Sequence, residues 1–258
     1  AIDQSELKTV LTSRQFLAHL KWELPKHLNI IYVEDLKQQI TSKEKIIGLF
    51  VALFAPIRFL ERYCGAKKKI TPHDLLTIIF TSGSTGDPKG VMLTHFNVDS
   101  NVEGVAQITP AARRNNRLLH TLPFFHSFGY MTMWLGLKSK IKLVLHPNPL
   151  DTKVVGDLIL KHRISIIFTT PSFLRAYSKR IAPDYLGSVK CLLTGAEKLP
   201  STLCDEIQEK YGVHPIEGYG ATECSPVIAT NTLDVRYPGV YQAGSKRGTV
   251  GQPLPGVM

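Results

Sequence analysis

The 258-residue chain lacks most of the features that would set it apart from ordinary globular proteins. Its four cysteines, Cys64, Cys191, Cys204 and Cys224, form no CxxC pair and no Cys/His ligand spacing. A zinc ligand set and a disulfide framework are therefore not indicated, and a reducing cytosol fits best. The longest apolar run, "IIGLFVALFAPI" at 46–57, falls short of the roughly 20 residues that a membrane-spanning helix needs. Residues 1–20 mix charged and apolar side chains at short range, which is not the pattern of a secretory leader. There is no internal repeat, and no basic block interleaved with aromatics, so a nucleic-acid partner is not expected. Between Leu118 and Leu150 there is no acidic residue.

What is present is enough for a sizeable core: 43% of residues are apolar and 20% charged, a soluble globular balance. The net charge of +10 is spread along the chain. Such a surface would attract nucleotides, acidic partners or anionic headgroups, or it is simply solvated. The run at 46–57 is flanked by Lys43, Lys45, Arg58, Arg62 and Lys67 to Lys69. A helix buried in the core or under a partner is the simpler reading of such a run. Peripheral contact with an anionic membrane through 46–62 is the alternative, and a cytoplasmic protein, at most at the cytoplasmic face of a membrane, follows.

Short β-branched runs alternate with amphipathic segments. Strands are predicted at "KTVLT" (8–12), "NIIYV" (29–33), "LLTIIF" (75–80), "GVMLTH" (90–95), "KLVLH" (142–146), "SIIFTT" (165–170), "VKCLLT" (189–194) and "HPIEGYG" (214–220). Helices are predicted near Arg14 to Lys21, Lys153 to His162, Ser172 to Arg180 and at 201–211, the last with Ser201 as N-cap and Gly212 at its end. Continuous apolar strands separated by helices of about ten residues predict an α/β fold with a mostly parallel, doubly wound sheet covered on both faces. The final "GTVGQPLPGVM" reads as a fresh strand segment that ends before it can pair.

Four segments carry chemistry. "TSGSTGDPKG" (81–90) fails the spacing of a Walker phosphate loop. It is nonetheless suited to a polyanion, because Gly83 and Gly86 let the backbone approach, Thr81, Ser82, Ser84 and Thr85 offer hydroxyls, and Lys89 supplies a point charge. "GYGATECSP" (218–226) ends a predicted strand, where ligands of parallel sheets sit. It offers the aromatic Tyr219 for a base, Thr222 for a phosphate oxygen and Glu223 for Mg²⁺. "LLTGAEKLP" (192–200) ends another strand in Gly195, Ala196 and Glu197, small enough at its start to admit a flat ring. "TLPFFHSFGY" (121–130) sets His126 among aromatics, where a histidine is more often a wall residue than a general base.

These segments, in this order, resemble the adenylate-forming superfamily, which includes acyl-CoA synthetases, firefly luciferase and the adenylation domains of nonribosomal peptide synthetases. "TSGSTGDPKGVMLTH" is similar to its phosphate-loop signature and "GYGATE" to its adenine and magnesium motif. The resemblance is strong over 75–258. In 1–74 it extends to the α/β rhythm and to "KTVLTSRQFL", which is similar to the region before the loop in fatty-acyl ligases.

The resemblance implies ATP and Mg²⁺ as cofactors, with Thr81, Ser82, Gly83, Ser84, Thr85, Gly86 and Lys89 around the β- and γ-phosphates. Gly195, Ala196 and Glu197 would lie on one face of the adenine, with Tyr219 and Gly220 on the other. Thr222 would contact the α-phosphate and Glu223 the metal; Thr222, Glu223 and Lys89 would serve catalysis. His126, Phe128, Gly129 and Trp134 would border the acyl pocket.

A carboxylate would attack the α-phosphorus, pyrophosphate would leave, and a thiol of coenzyme A or an acyl carrier protein would take the acyl group. Amino-acid-activating members carry an Asp for the substrate ammonium; the acid-free stretch 118–150 therefore implies a fatty acid. "GSKRGTVGQPLPG" and the basic apolar stretch before the loop look most like the acyl-acyl-carrier-protein synthetase part of bifunctional acylglycerophosphoethanolamine acyltransferases.

The expected organisation is a partial N-terminal AMP-binding core over 1–247 and the start of a following β-subdomain at 248–258. The family's C-terminal lid would lie beyond it. An acid–thiol ligase is thus implied, with this chain expected to bind ATP weakly and to form adenylate slowly or not at all. A non-catalytic nucleotide-binding scaffold, and less so an amino-acid adenylation domain, are the alternatives.

Overall fold

A computed structural model describes residue 2 and residues 4–81, 87–109 and 114–257, apart from the side chains of 19 and 20. The chain divides into two compact units. The first comprises the described residues within 1–74 and 82–90. In it β1 (Thr9–Thr12) pairs in parallel with β2 (Asn29–Tyr32), Thr9 opposite Asn29. Helix α1 (Arg14–Leu20) starts where the Ser13 hydroxyl accepts the Phe16 N–H at 3.3 Å, an N-cap that satisfies one of the helix's orphan donors. The same hydroxyl donates to Glu34 at 2.7 Å. In α2 (Val33–Gln39), Asp35 takes both guanidinium N–H groups of Arg14 at 2.6 and 2.7 Å.

Helix α3 (Ser42–Phe54) begins at a reciprocal cap between Thr41 and Glu44, and α4 (Ile57–Tyr63) follows Pro56. The run 46–57 is therefore helical up to Phe54, breaks at Ala55 and Pro56, and resumes at Ile57. Its expected place in a core is not found: neither helix has a buried residue, and Leu28 is the one buried residue among those described in this unit.

Strands β3 (Leu75–Thr81) and β4 (Lys89–Thr94) form a two-stranded sheet of their own. The second unit then continues through α5 (His95–Ile108), β5 (Arg117–His120), α6 (Ser127–Lys138), β6 (Lys142–Leu145), α7 (Thr152–His162), β7 (Ile166–Thr169), α8 (Pro171–Arg180), β8 (Cys191–Thr194), α9 (Ser201–Tyr211), β9 (Ile216–Gly220), β10 (Val227–Thr230), the hairpin β11 (Val235–Tyr237) and β12 (Val240–Gln242), and β13 (Gln252–Pro253). Seven strands make one sheet in the order β13-β10-β9-β8-β7-β5-β6; from β6 to β9 all pairings are parallel, while β10 and β13 are antiparallel.

Side-chain alternation divides the strand residues between two cores. Leu118, Ile166, Phe168, Cys191, Leu193 and Ile216 face α5 and α6, packing with Val98, Val102, Val105, Met131 and Leu135. Leu119, Ile167 and Leu192 face α7, α8 and α9, packing with Val155, Ile159, Leu174, Tyr177 and Ile207. Both faces are dry, which is why these strands read as continuous apolar runs.

The structure differs from the sequence reading in several elements: strands β5, β10, β11 and β12 were not predicted. Helix α9 starts at Ser201 itself, with Pro200 in the capping position and no side-chain cap; Gly212 ends it in the left-handed conformation as expected. Helices α5 and α6 were not foreseen. The first is capped by Thr94 and Asn97 rather than by the usual Glu or Gln, and the second is apolar around its whole circumference, leaving no period to detect. The segment after 248 also does pair: β13 lies against β10, Leu254 N–H donates to Ile228 at 2.8 Å, and Leu254 is buried in the α5 side core.

His120, at the carboxyl end of β5, is 2% exposed. Neither ring nitrogen has a hydrogen-bond partner among the described residues, and the ring stands edge-on to Phe124 at 4.4 Å. Burial holds its pKa down at about 4. The unfolded chain, with a histidine pKa of about 6.5, binds the extra proton first, so His120 removes stability as pH falls from about 6.5 towards 4 and nothing further below that. Melting temperatures between pH 7.5 and 4.5 should therefore fall less steeply for His120→Leu than for the unsubstituted chain. Parallel curves would refute the assignment.

Candidate functional site

The loops after β8 and β9 meet at the carboxyl edge of the sheet. A cavity of about 190 Å³ there is lined by His126, Ser127, Phe128, Leu193, Gly195, Ala196, Gly218, Tyr219, Gly220, Ala221, Thr222, Pro226 and Val227. Seven residues singled out in the sequence, His126, Phe128, Gly195, Ala196, Tyr219, Gly220 and Thr222, thus share one concavity.

The floor is backbone. After β8 the chain passes through Gly195, whose N–H donates to Thr169 at 3.2 Å, and Ala196 sits at φ 68°, a left-handed conformation rarely adopted by residues with a side chain. Strand β9 approaches its return strand closely at Gly220, where a Cβ would lie 2.3 Å from the Pro226 carbonyl oxygen; only glycine fits. Tyr219, next to it, is 55% exposed, so its ring is open to a stacking partner.

The wall comes from the start of α6. His126 is its N-cap, its Nδ1 accepting the Phe128 N–H at 3.2 Å. That bond requires an unprotonated Nδ1, and burial also lowers the pKa of the ring. The imidazole is thus a neutral structural cap, with Nε2 carrying the proton. Phe128 is buried and stacks on Phe168 with ring centroids 6.1 Å apart. Gly129 lets α6 begin against Pro123, whose carbonyl oxygen a Cβ would meet at 2.2 Å.

A 3-10 turn, Thr222–Cys224, leaves β9. The Thr222 hydroxyl lies 3.1 Å from that of Ser127, which is itself buried. Glu223, on the same turn, is exposed. Among the described residues no three His, Cys, Asp or Glu side chains converge as a metal site. A single carboxylate, Glu223, on the same turn as the Thr222 hydroxyl still fits Mg²⁺ carried in on a nucleotide, because Mg²⁺ commonly takes only one or two protein carboxylates and completes its shell with phosphate and water.

Other predicted residues stand elsewhere. Glu197 is turned to the start of α8, where it accepts the Ser172 N–H at 3.2 Å and hydroxyl at 2.6 Å; it is not among the lining residues. Trp134 packs edge-on to Tyr130 at the α5 side core. The cavity takes only His126, Ser127 and Phe128 from the aromatic segment, and Phe124 and Phe125 are exposed. Thr81 closes β3 and exposed Lys89 opens β4. Ser82, Gly83, Ser84, Thr85 and Gly86 lie outside the described residues.

A larger cavity, of about 520 Å³, is bordered by Lys198, Ser201, His214, Lys246, Arg247 and Thr249 among others and contains none of the predicted site residues. Its volume is no argument for chemistry: Arg247 is already paired with Asp205, and Glu217 with the Leu199 N–H at 3.0 Å.

Two residues of the site escaped the sequence reading, Ser127 and Asn101. The side chain of Asn101 in α5 donates to the carbonyls of Cys224 at 3.1 Å and Val227 at 2.8 Å and accepts the Val227 N–H at 3.2 Å. A signal for it existed: Asn101 lies on the apolar stripe Val98, Val102, Val105, where a polar side chain must find buried partners.

The description "AMP-binding enzyme" matches residues 1–258. The long-chain-fatty-acid–CoA ligase of Bacillus subtilis (strain 168) is 31% identical over 194 residues, 72% of this chain and 33% of the ligase. The 2-succinylbenzoate–CoA ligase of Bacillus cereus (strain ATCC 10987 / NRS 248) is 28% identical over 246 residues, 95% of this chain and 48% of that protein. The solved structure of the Bacillus subtilis O-succinylbenzoate coenzyme A synthetase, in complex with ATP and magnesium ion, superposes with a TM-score of 0.71 at 23% identity, covering 98% of this chain and 46% of its own. The chain thus spans a third to a half of the relatives it matches. With a mainly parallel sheet whose carboxyl edge gathers Gly195, Tyr219 and Thr222 into one cavity, and a match running its whole length, the chain belongs to the AMP-binding enzyme family.

Proposed function

We propose that this chain carries the nucleotide site of an acid–thiol ligase that activates a fatty acid with ATP and passes it to the thiol of coenzyme A or an acyl carrier protein. The observation that carries the reading is the single cavity shared by Gly195, Ala196, Tyr219 and Thr222. The adenine lies between the Gly195–Ala196 backbone and the Tyr219 ring, and the Thr222 hydroxyl, oriented by Ser127, meets the α-phosphate. Thr81, Ser82, Ser84 and Thr85, with the backbones of Gly83 and Gly86, and Lys89 take the β- and γ-phosphates. Glu223 holds Mg²⁺, which when bound offsets phosphate charge.

In the first step a carboxylate oxygen bonds to the α-phosphorus, the bond to the bridging oxygen breaks, and pyrophosphate leaves. In the second a thiolate sulfur bonds to the acyl carbon, the C–O bond breaks, and AMP leaves with the electron pair; the thiol proton goes to solvent. The residues named hold two anions together and offset their repulsion. Support for an apolar acid is the acid-free stretch 118–150, which leaves a substrate ammonium without a carboxylate, and the similarity to a long-chain-fatty-acid–CoA ligase.

Calorimetry on this chain tests the reading. AMP should bind, and Tyr219→Ala should weaken it about tenfold, the worth of one stacked ring. Dodecanoyl-sulfamoyl-adenosine should bind at least about tenfold more tightly than the leucyl analogue. AMP affinity unmoved by Tyr219→Ala removes the adenine assignment, and a preference for the leucyl compound replaces the fatty acid with an amino acid.

The same reading includes peripheral contact with an anionic membrane through 46–62, where an acyl substrate would be met. Among the described residues no helix is long and apolar enough to cross a membrane, but Ile46, Ile47, Leu49, Phe50, Leu53, Phe54 and Ile57 are all exposed. Burying each such side chain is worth about 1.5–3 kcal/mol, and each nearby cation among Lys43, Lys45, Arg58, Arg62 and Lys67 to Lys69 adds about 1 kcal/mol at an anionic surface. Vesicles containing phosphatidylglycerol should sediment the chain at low salt, and Phe50→Glu with Phe54→Glu should abolish this. Equal sedimentation of the double variant, or dimerisation in place of vesicle binding, would remove the membrane contact.

A further inference from the structure

Backbone hydrogen bonds from Ala221 to Pro226, Cys224 to Ala221 and Ser225 to Thr222 give the turn that carries Thr222 and Glu223 its shape, but they do not fix its place against the helices. It is three residues long, it follows a strand end where a glycine admits no side chain, and both Glu223 and Cys224 are exposed. A carboxylate on a loose turn would meet the phosphates of a nucleotide only part of the time. The turn is instead gripped from two helices. On its near side Ser127 of α6 meets the Thr222 hydroxyl at 3.1 Å. On its far side Asn101 of α5, 7% exposed, uses all of its amide: Nδ2 donates to Cys224 and Val227, and Oδ1 accepts from Val227. No other described side chain is hydrogen-bonded to the backbone of 222–227.

Position in α5 makes this grip stiff. Val98, Val102 and Val105 on the same stripe are 1–3% exposed and lock the helix to the sheet, so Asn101 is a fixed point rather than a mobile arm. Replacing it by an apolar side chain removes the partner of the carbonyls of Cys224 and Val227 and of the Val227 N–H, to which no other described side chain is hydrogen-bonded.

We propose that Asn101 is a positioning residue that fixes the turn carrying Thr222 and Glu223, and so sets how the chain receives the metal-bound phosphates of ATP. The inference rests on the nucleotide reading above and adds to it a residue that touches neither nucleotide nor metal. Its signature is selective. AMP is held mainly by Tyr219 and the Gly195–Ala196 backbone and asks little of Glu223, whereas Mg·ATP depends on Glu223. Loosening the turn therefore separates the two ligands, which a general loss of structure would not do.

The test is calorimetry of the full chain with AMP and with Mg·ATP, for the unsubstituted protein, Asn101→Asp and Asn101→Leu, each with a thermal melt. Asn101→Asp keeps the acceptor for the Val227 N–H and the shape of the side chain, but turns an oxygen towards two carbonyls. Mg·ATP affinity should fall about tenfold, half-saturating Mg²⁺ should rise in step, and AMP affinity should stay within about twofold. Equal losses for both ligands, or no loss for either, overturn the proposal. Absence of any nucleotide binding by the unsubstituted chain overturns the nucleotide reading and this inference with it, whereas binding that is indifferent to Asn101 overturns this inference alone. If both variants fail to fold, amide exchange on the unsubstituted chain decides: the Val227 N–H should exchange as slowly as the amides of β8, and exchange within seconds refutes the clamp.

Discussion

Three inner parallel strands buried on both faces, β5, β7 and β8, constrain nearly everything else in the second unit. Because Leu118, Ile166, Leu193 and Ile216 must face one set of helices, and Leu119, Ile167 and Leu192 the other, the register of each strand is fixed to within a residue. The strands then deliver their carboxyl ends to one edge. The strand-to-helix loops lie along that edge, and the glycine-containing continuations of β8 and β9 are brought side by side there. The cavity is a consequence of core packing, and its lining of backbone and small residues follows from strands that end where they do.

On that edge, lining the cavity and fixing its turn fall partly to different residues. Tyr219 and Thr222 face the cavity, Ser127 lines it beside Thr222, and Asn101 stands behind and holds the turn. His126, read from sequence as a wall residue, lines the cavity and spends its Nδ1 on the first turn of α6. A residue's chemical capacity and its use are separate, and only geometry distinguishes them.

The parallel strands β7 and β8 and the helices α7, α8 and α9 were legible because two-sided burial leaves continuous apolar runs, whereas the parallel strand β5 was missed. The strand-end motifs were legible because glycines, an aromatic, a hydroxyl and a carboxylate in so few positions have few uses. Helix α6 was hidden by its lack of a polar face, and α5 by a Thr94–Asn97 cap outside the usual pattern. The pairing of β13 depends on β10, more than twenty residues away, which no local pattern reveals. Glu197, in the loop after β8, could not be placed from sequence, since its partner Ser172 belongs to α8. Exposure of α3 and α4 is equally invisible in composition: the same apolar run would suit a core.

The central claim is that a nucleotide lies at the ends of β8 and β9, and the most direct measurement is an amide chemical-shift map of the chain titrated with AMP. The account requires the largest shifts at Gly195, Ala196, Tyr219 and Gly220, with the wall at Phe128 responding. Shifts centred on Lys198, Lys246 and Arg247 would place the ligand in the larger cavity instead and contradict the account, as would a map with no shifts at all.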